Sequence, residues 1–163
     1  MAAGNTYVAL ATNTLSSTAT SVTFSSISGS YTDLRLVANY KTAAAVNVQI
    51  RFNSDTGSNY SSTYLLGNGS AASSGRESND TSSSIWYTNG TNFVVGKTDI
   101  MNYANTTTYK SLLSRSDDSA VFVMTRVGLW RSTSAINSIT ILNDGAQSFA
   151  VGSTFSLYGI LAA

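Results

Sequence analysis

Cysteine, histidine and proline are all missing from this 163-residue sequence. Without cysteine there can be no disulfide, no thiolate metal site and no thiol nucleophile, whatever the redox compartment. The absence of histidine removes the usual general base near neutral pH and the commonest metal ligand, so most hydrolase and metalloenzyme templates cannot be built in their usual form. Proline's absence takes away one common guard against edge-to-edge pairing of strands, and few charges remain to replace it. The strand edges are therefore expected to be covered by partner subunits. Charge itself is scarce: nine Lys and Arg oppose eight Asp and Glu, a net +1 that gives no long-range field for gathering polyanions. Nucleic acid is not an expected partner. No stretch reaches the roughly 20 apolar residues of a spanning helix, and residues 1–15 lack the basic and continuous apolar regions of a secretory signal. A soluble protein with no membrane partner is the expectation.

Hydrophobic residues make up 42% of the chain and aromatics 10%, enough for a core in a domain of common size. The abundant Ser and Thr therefore read as strand surfaces and turns. Apolar residues recur with period two: Leu34, Leu36 and Ala38 alternate with Arg35, Val37 and Asn39, and Val46, Val48, Ile50 and Phe52 alternate with Asn47, Gln49, Arg51 and Asn53. Further strands are predicted at 7–11, 21–27, 62–66, 84–87, 92–103, 109–115, 120–130, 138–142 and 154–161, about ten in all. No helical stripe exceeds about two turns. The prediction is one all-β domain over residues 1–163, a two-sheet antiparallel sandwich of jelly-roll type. Residues 67–84 (GNGSAASSGRESNDTSSS) show no apolar period and are predicted to be a long loop, either functional or tied down by a neighbour.

Several constellations could carry chemistry. Asn53, Asp55, Gly57 and Asn59 place oxygen ligands around a glycine, but a calcium loop needs more carboxylates and a downstream bidentate Glu. A turn using Asp and Gly for positive φ fits better. Asp117 and Asp118 could pass for paired glycosidase carboxylates, yet adjacent residues between apolar runs read as a hairpin turn. Lys41, Lys97 and Lys110 lie in no recognisable Ser-x-x-Lys spacing. No catalytic residue, metal or cofactor is predicted. Arg76, Glu77 and Asp80 form the densest charged cluster and are candidates for a subunit contact or a polar ligand. Trp86-Tyr87 and Trp130-Arg131 pair a large ring with a neighbour on the opposite strand face, so one member of each pair is expected outside. With Tyr60, these rings are candidates for glycan stacking or a subunit hot spot.

Tyr31-Thr32-Asp33-Leu34, Arg51-Phe52-Asn53, Asn59-Tyr60-Ser61 and the closing Ser156-Leu157-Tyr158-Gly159-Ile160, within segments spanning nearly the whole chain, resemble a group of small structural proteins of tailed phages, including cyanophages. The resemblance implies a jelly-roll virion component, a decoration or cement protein of the head or a piece of a head or tail fibre, with no catalytic residues to carry over. The expected function is capsid decoration: a homotrimer on the outside of the major capsid protein lattice, made in the host cytoplasm and stabilising the head. The alternative is a fibre tip that recognises host surface glycans. With a first strand near Tyr7 and a last one ending near Ile160, attachment through the folded surface is expected.

Overall fold

The computed structural model describes residues 6–118, 121–145 and 147–161. In chain order the strands are β1 (Tyr7–Thr14), β2 (Ser21–Phe24), β3 (Asp33–Tyr40), β4 (Val46–Phe52), β5 (Tyr60–Gly67), β6 (Ala72–Asp80), β7 (Ser83–Thr88), β8 (Val94–Ile100), β9 (Lys110–Asp118), β10 (Phe122–Trp130), β11 (Ile139–Asn143) and β12 (Thr154–Ile160). They form an eight-stranded sheet in the order β1-β12-β3-β8-β9-β10-β5-β6 and a four-stranded sheet in the order β2-β11-β4-β7. Every pairing is antiparallel. The all-β, two-sheet sandwich is as the alternation predicted.

The period-two pattern does the sorting. Along β4, Val46, Val48, Ile50 and Phe52 are buried while Asn47, Gln49 and Arg51 are half-exposed; β3 buries Leu34, Leu36, Ala38 and Tyr40 in the same way. Ile139 and Ile141 of β11 and Phe155 and Leu157 of β12 complete a core between the sheets. Burying side chains of this size supplies roughly 1.5–3 kcal/mol each before chain entropy is set against it. Aromatic rings fill it in two groups. Tyr40 stacks on Trp86 at 5.3 Å with Phe149 and Phe155 beside it, and Phe52 contacts both Tyr60 and Trp130. Gly96 makes the first group possible, because a Cβ there would lie 2.4 Å from the Trp86 ring.

Residues 67–84 are not a long loop. Only 68–71 separate β5 from β6, which pairs with β5 from Tyr60↔Asp80 to Gly67↔Ala72 and forms the edge of the large sheet. This segment escapes pattern reading because both of its faces meet solvent over most of its length, so no selection for alternation acts on it. The small sheet is too narrow to cover its partner. Its edge strand β7 lies chiefly across β9 and β10 and touches β5, leaving β6 overhanging at one end. At the other end a cleft of about 630 Å³, lined by Leu10, Phe24, Ile27, Tyr31 and Leu157, opens between β1 and β2. The β4–β5 turn also differs from expectation: Asn53 and Ser54, not Asp55 and Gly57, adopt positive φ. Of the strand predicted at 120–130, Ala120 lies outside the described residues.

Candidate functional site

The charged cluster read from the sequence is taken apart by the pleat. Arg76 and Glu77 are neighbours in β6 and so project from opposite faces. On the outer face Arg76 is exposed and its Nε donates to Thr63 Oγ1 at 3.4 Å. Glu77 turns inward and accepts a hydrogen bond from Ser62 Oγ at 2.9 Å. Beside it lies the buried guanidinium of Arg126, with Nη1 3.4 Å from both Glu77 carboxylate oxygens and Nη2 donating to Asn47 Oδ1 at 2.6 Å. Tyr64 offers its ring face 4.8 Å from the Arg126 carbon. Burial alone would raise the Glu77 carboxyl, but hydrogen bonds from Ser84 and Ser62 and the Arg126 charge hold it below its ordinary value. Asp80 sits apart, opposite Tyr60, and is raised by burial and by the neighbouring Glu77 and Asp144 carboxylates. Arg76, Glu77 and Asp80 thus form no common site.

Three of the four aromatic candidates are core residues. Tyr60, Trp86 and Trp130 are all but fully buried, so none of them can present a ring to a sugar. Tyr87 and Arg131 are half-exposed, which is the alternation expected of each pair. Trp130 donates its indole N–H to Asp55 Oδ2 at 2.7 Å, and Tyr60 accepts from the Phe52 N–H at 3.0 Å. Asp55 also takes Asn59 Nδ2 at 3.0 Å and the Gly57 N–H at 2.8 Å. Burial opposes its charge, but these bonds and the Arg51 charge leave the Asp55 carboxyl below its ordinary value. Its oxygens are committed to holding the turn. Arg131 closes the same corner, donating to Ser61 Oγ, the Ser58 carbonyl and Asn79 Oδ1 at 2.7, 2.7 and 2.9 Å.

Asp117 and Asp118 end β9 and project to opposite faces, so they cannot flank one glycosidic bond. Lys110 is fully buried, and its ammonium donates to the carbonyls of Thr108 and Thr133 at 2.8 and 3.3 Å. Burial lowers its pKa, but its acceptors are backbone carbonyls and its role is to tie two loops together. Among the described residues, no group of three or more acidic side chains could hold a metal ion.

A surface that the sequence reading missed lies on the outer face of the large sheet. Leu65, Val95, Leu113, Val123 and Val127 are 47–61% exposed. Strand register brings them together: Val127 is opposite Leu113, Thr125 is opposite Leu65, and Asp117 pairs with both Val95 and Val123. Charges among them are paired, Lys97 with Asp99 at 3.3 Å and Arg115 with Asp117 at 3.9 Å, and Arg35 also binds Asp99. Between these side chains is a shallow depression of about 340 Å³ lined by Val95, Lys97, Leu113, Arg115 and Thr125. The result is a flat aliphatic field whose charges largely cancel. The signal was present in β10, where Val123, Val127 and Leu129 share one face and Arg126 sits on the other. No family model and no curated protein matches the chain.

Proposed function

We propose that this chain is a non-enzymatic virion protein that decorates the outside of a tailed-phage head and docks through the outer face of its large sheet. One observation carries the reading: five aliphatic side chains, each about half exposed, stand together on a rigid sheet across β5, β8, β9 and β10. Contiguous apolar surface rimmed by polar groups marks contact sites rather than ordinary solvent-facing sheet. The lack of histidine and cysteine supports a role without general-base or thiol chemistry. Contacts repeated over a symmetric shell would add up even where each is weak.

The strand order supports the jelly-roll part of the reading. β2, β11, β4 and β7 in one sheet and β3, β8, β5 and β6 in the other follow the order of an eight-stranded jelly roll, with the β9–β10 hairpin inserted between β8 and β5. A glycan-binding fibre tip is less well supported, since Tyr60, Trp86 and Trp130 are spent on the core. Low-resolution cryo-electron microscopy of virions with and without this protein tests the proposal. Loss of regular protrusions from the head, with shells that break at lower temperature, is expected; intact heads with missing appendage tips would refute it.

A further inference from the structure

The ends of the two sheets expose four strand edges, and three of them are blunted. β1 carries a bulge between Ala9 and Ala11, β2 has only four residues, and β7 is bulged between Ser84 and Trp86 with its Tyr87 N–H donating to Ser116 Oγ. β6 is guarded by charge alone, with Arg76 on its outer face and the inward-turned Glu77 beside it. It pairs with β5 in unbroken register from Ala72 to Ser78, and its irregularity is confined to the Asp80 end. An edge of this length, without proline, lysine or a central bulge, is a template for another strand that satisfies those two charges.

We infer that β6 is a self-association edge, and that two copies of this chain pair β6 to β6 antiparallel about a two-fold axis at Gly75. The side chains select that register. Outer-face residues of one copy must meet outer-face residues of the other, so a two-fold pairs even-numbered with even-numbered positions. An axis at Arg76 sets two guanidinium groups face to face, and one at Glu77 does the same with two carboxylates. With the axis at Gly75, Arg76 lies opposite the partner copy's Ser74, and Glu77 opposite its Ser73. Each charge then meets a hydroxyl that can accept from Arg76 or donate to Glu77. The sheet already makes cross-strand pairs of this kind: Ser62 to Glu77 at 2.9 Å, Thr12 to Ser156 at 3.0 Å and Thr98 to Ser114 at 2.9 Å. Gly75 brings no side chain of its own to the axis; its inner side is covered by the Tyr64 ring of the same chain, which lies 2.7 Å from where a Cβ would be.

Among the described residues, no strand lies beyond the free edge of β6. The small sheet lies chiefly over β9 and β10 and reaches the inner side of β5, so the free edge of β6 stays beyond it in both copies. The pairing is independent of what the outer face binds, and it makes a dimer rather than the trimer implied by the family resemblance.

The cysteine-free sequence allows a direct test. Full-length Ser74→Cys and Arg76→Cys proteins are mixed under mild oxidation and run on a non-reducing gel. Opposed Cα atoms lie about 4.5–5.5 Å apart, within disulfide reach, whereas either cysteine and its own copy are separated by roughly 8 Å and are not. A cross-linked heterodimer in the mixture, with little cross-linking of either protein alone, is the expected result. Sedimentation of Ser74→Lys, which sets like charges opposite Arg76, should show dimerisation about three- to tenfold weaker than wild type, and Ser74→Glu should strengthen it. A monomer at every concentration, a trimer, or equal cross-linking of the single variants alone would overturn the inference.

Discussion

Replacing Glu77 by alanine should destabilise the fold out of proportion to the single long ion pair it removes. Arg126 is buried to 3% side-chain exposure and Glu77 retains 30%, so the arginine depends on the pair more than the glutamate does. At 3.4 Å and an effective dielectric near 20, the attraction is about 5 kcal/mol before any discount. Partial exposure of Glu77 and the remaining Asn47 and Tyr64 contacts of Arg126 reduce the expected loss to about 2–3 kcal/mol. With a urea dependence of about 2–3 kcal/mol per molar, the unfolding midpoint should fall by about 1 M. The emission of Trp86 and Trp130, both buried, reports the transition. Removing both partners as Glu77→Leu and Arg126→Met leaves no stranded charge, so the double variant should recover at least about 1 kcal/mol relative to the sum of the singles. A Glu77→Ala loss below about 0.5 kcal/mol, or strict additivity, would refute the reasoning.

Three further outcomes follow from the same packing. Burial pushes the Tyr60 hydroxyl up to about 12, so the stability it contributes is complete below pH ~10, the unfolded value, and is lost as pH rises through about 12. Tyr60→Phe should flatten that alkaline decline in a pH series of urea melts while lowering neutral-pH stability by about 1–3 kcal/mol, because the Phe52 N–H loses its acceptor. Asp55 is depressed, so its contribution is present above pH ~4 and disappears as pH falls through its folded value. Asp55→Asn should shift acid unfolding to be less pH-dependent and change the near-ultraviolet signal of Trp130. Gly96→Ala drives a Cβ into the Trp86 ring and should cost about 1–3 kcal/mol in thermal or urea melts.

How far the sequence could be read depended on what each strand faces. β4 announces itself because one face is in the core and the other in water, and the strict alternation from Val46 to Phe52 records that division. β6 turns only Gly75 and Glu77, neither of them apolar, toward the inner side at its centre, so Ala72–Asp80 carries no hydrophobic alternation and resembles a loop. In β10 the alternation was legible but its polarity was inverted, with Arg126 inside and Val123 and Val127 outside. The inversion is possible because Asn47, Glu77 and Tyr64 arrive from other strands to satisfy the guanidinium. Those partners lie 49 and 79 residues away for Glu77 and Asn47, and no local pattern encodes them. The same holds for the Trp130–Asp55 bond across 75 residues, which turns an aromatic candidate for sugar stacking into a core anchor. The exposed aliphatic field is likewise assembled by register, from β5, β8, β9 and β10 together.

The most direct test of outer-face docking is co-sedimentation of the protein with heads that lack it, comparing wild type with Leu113→Lys/Val127→Glu, which sets opposite charges across from each other and keeps the sheet's own pairing favourable. These side chains are exposed, so the double variant should keep its unfolding free energy within about 0.5 kcal/mol of wild type. Loss of co-sedimentation by tenfold or more, with that fold intact, is the result the account expects; wild-type binding by the variant would contradict it.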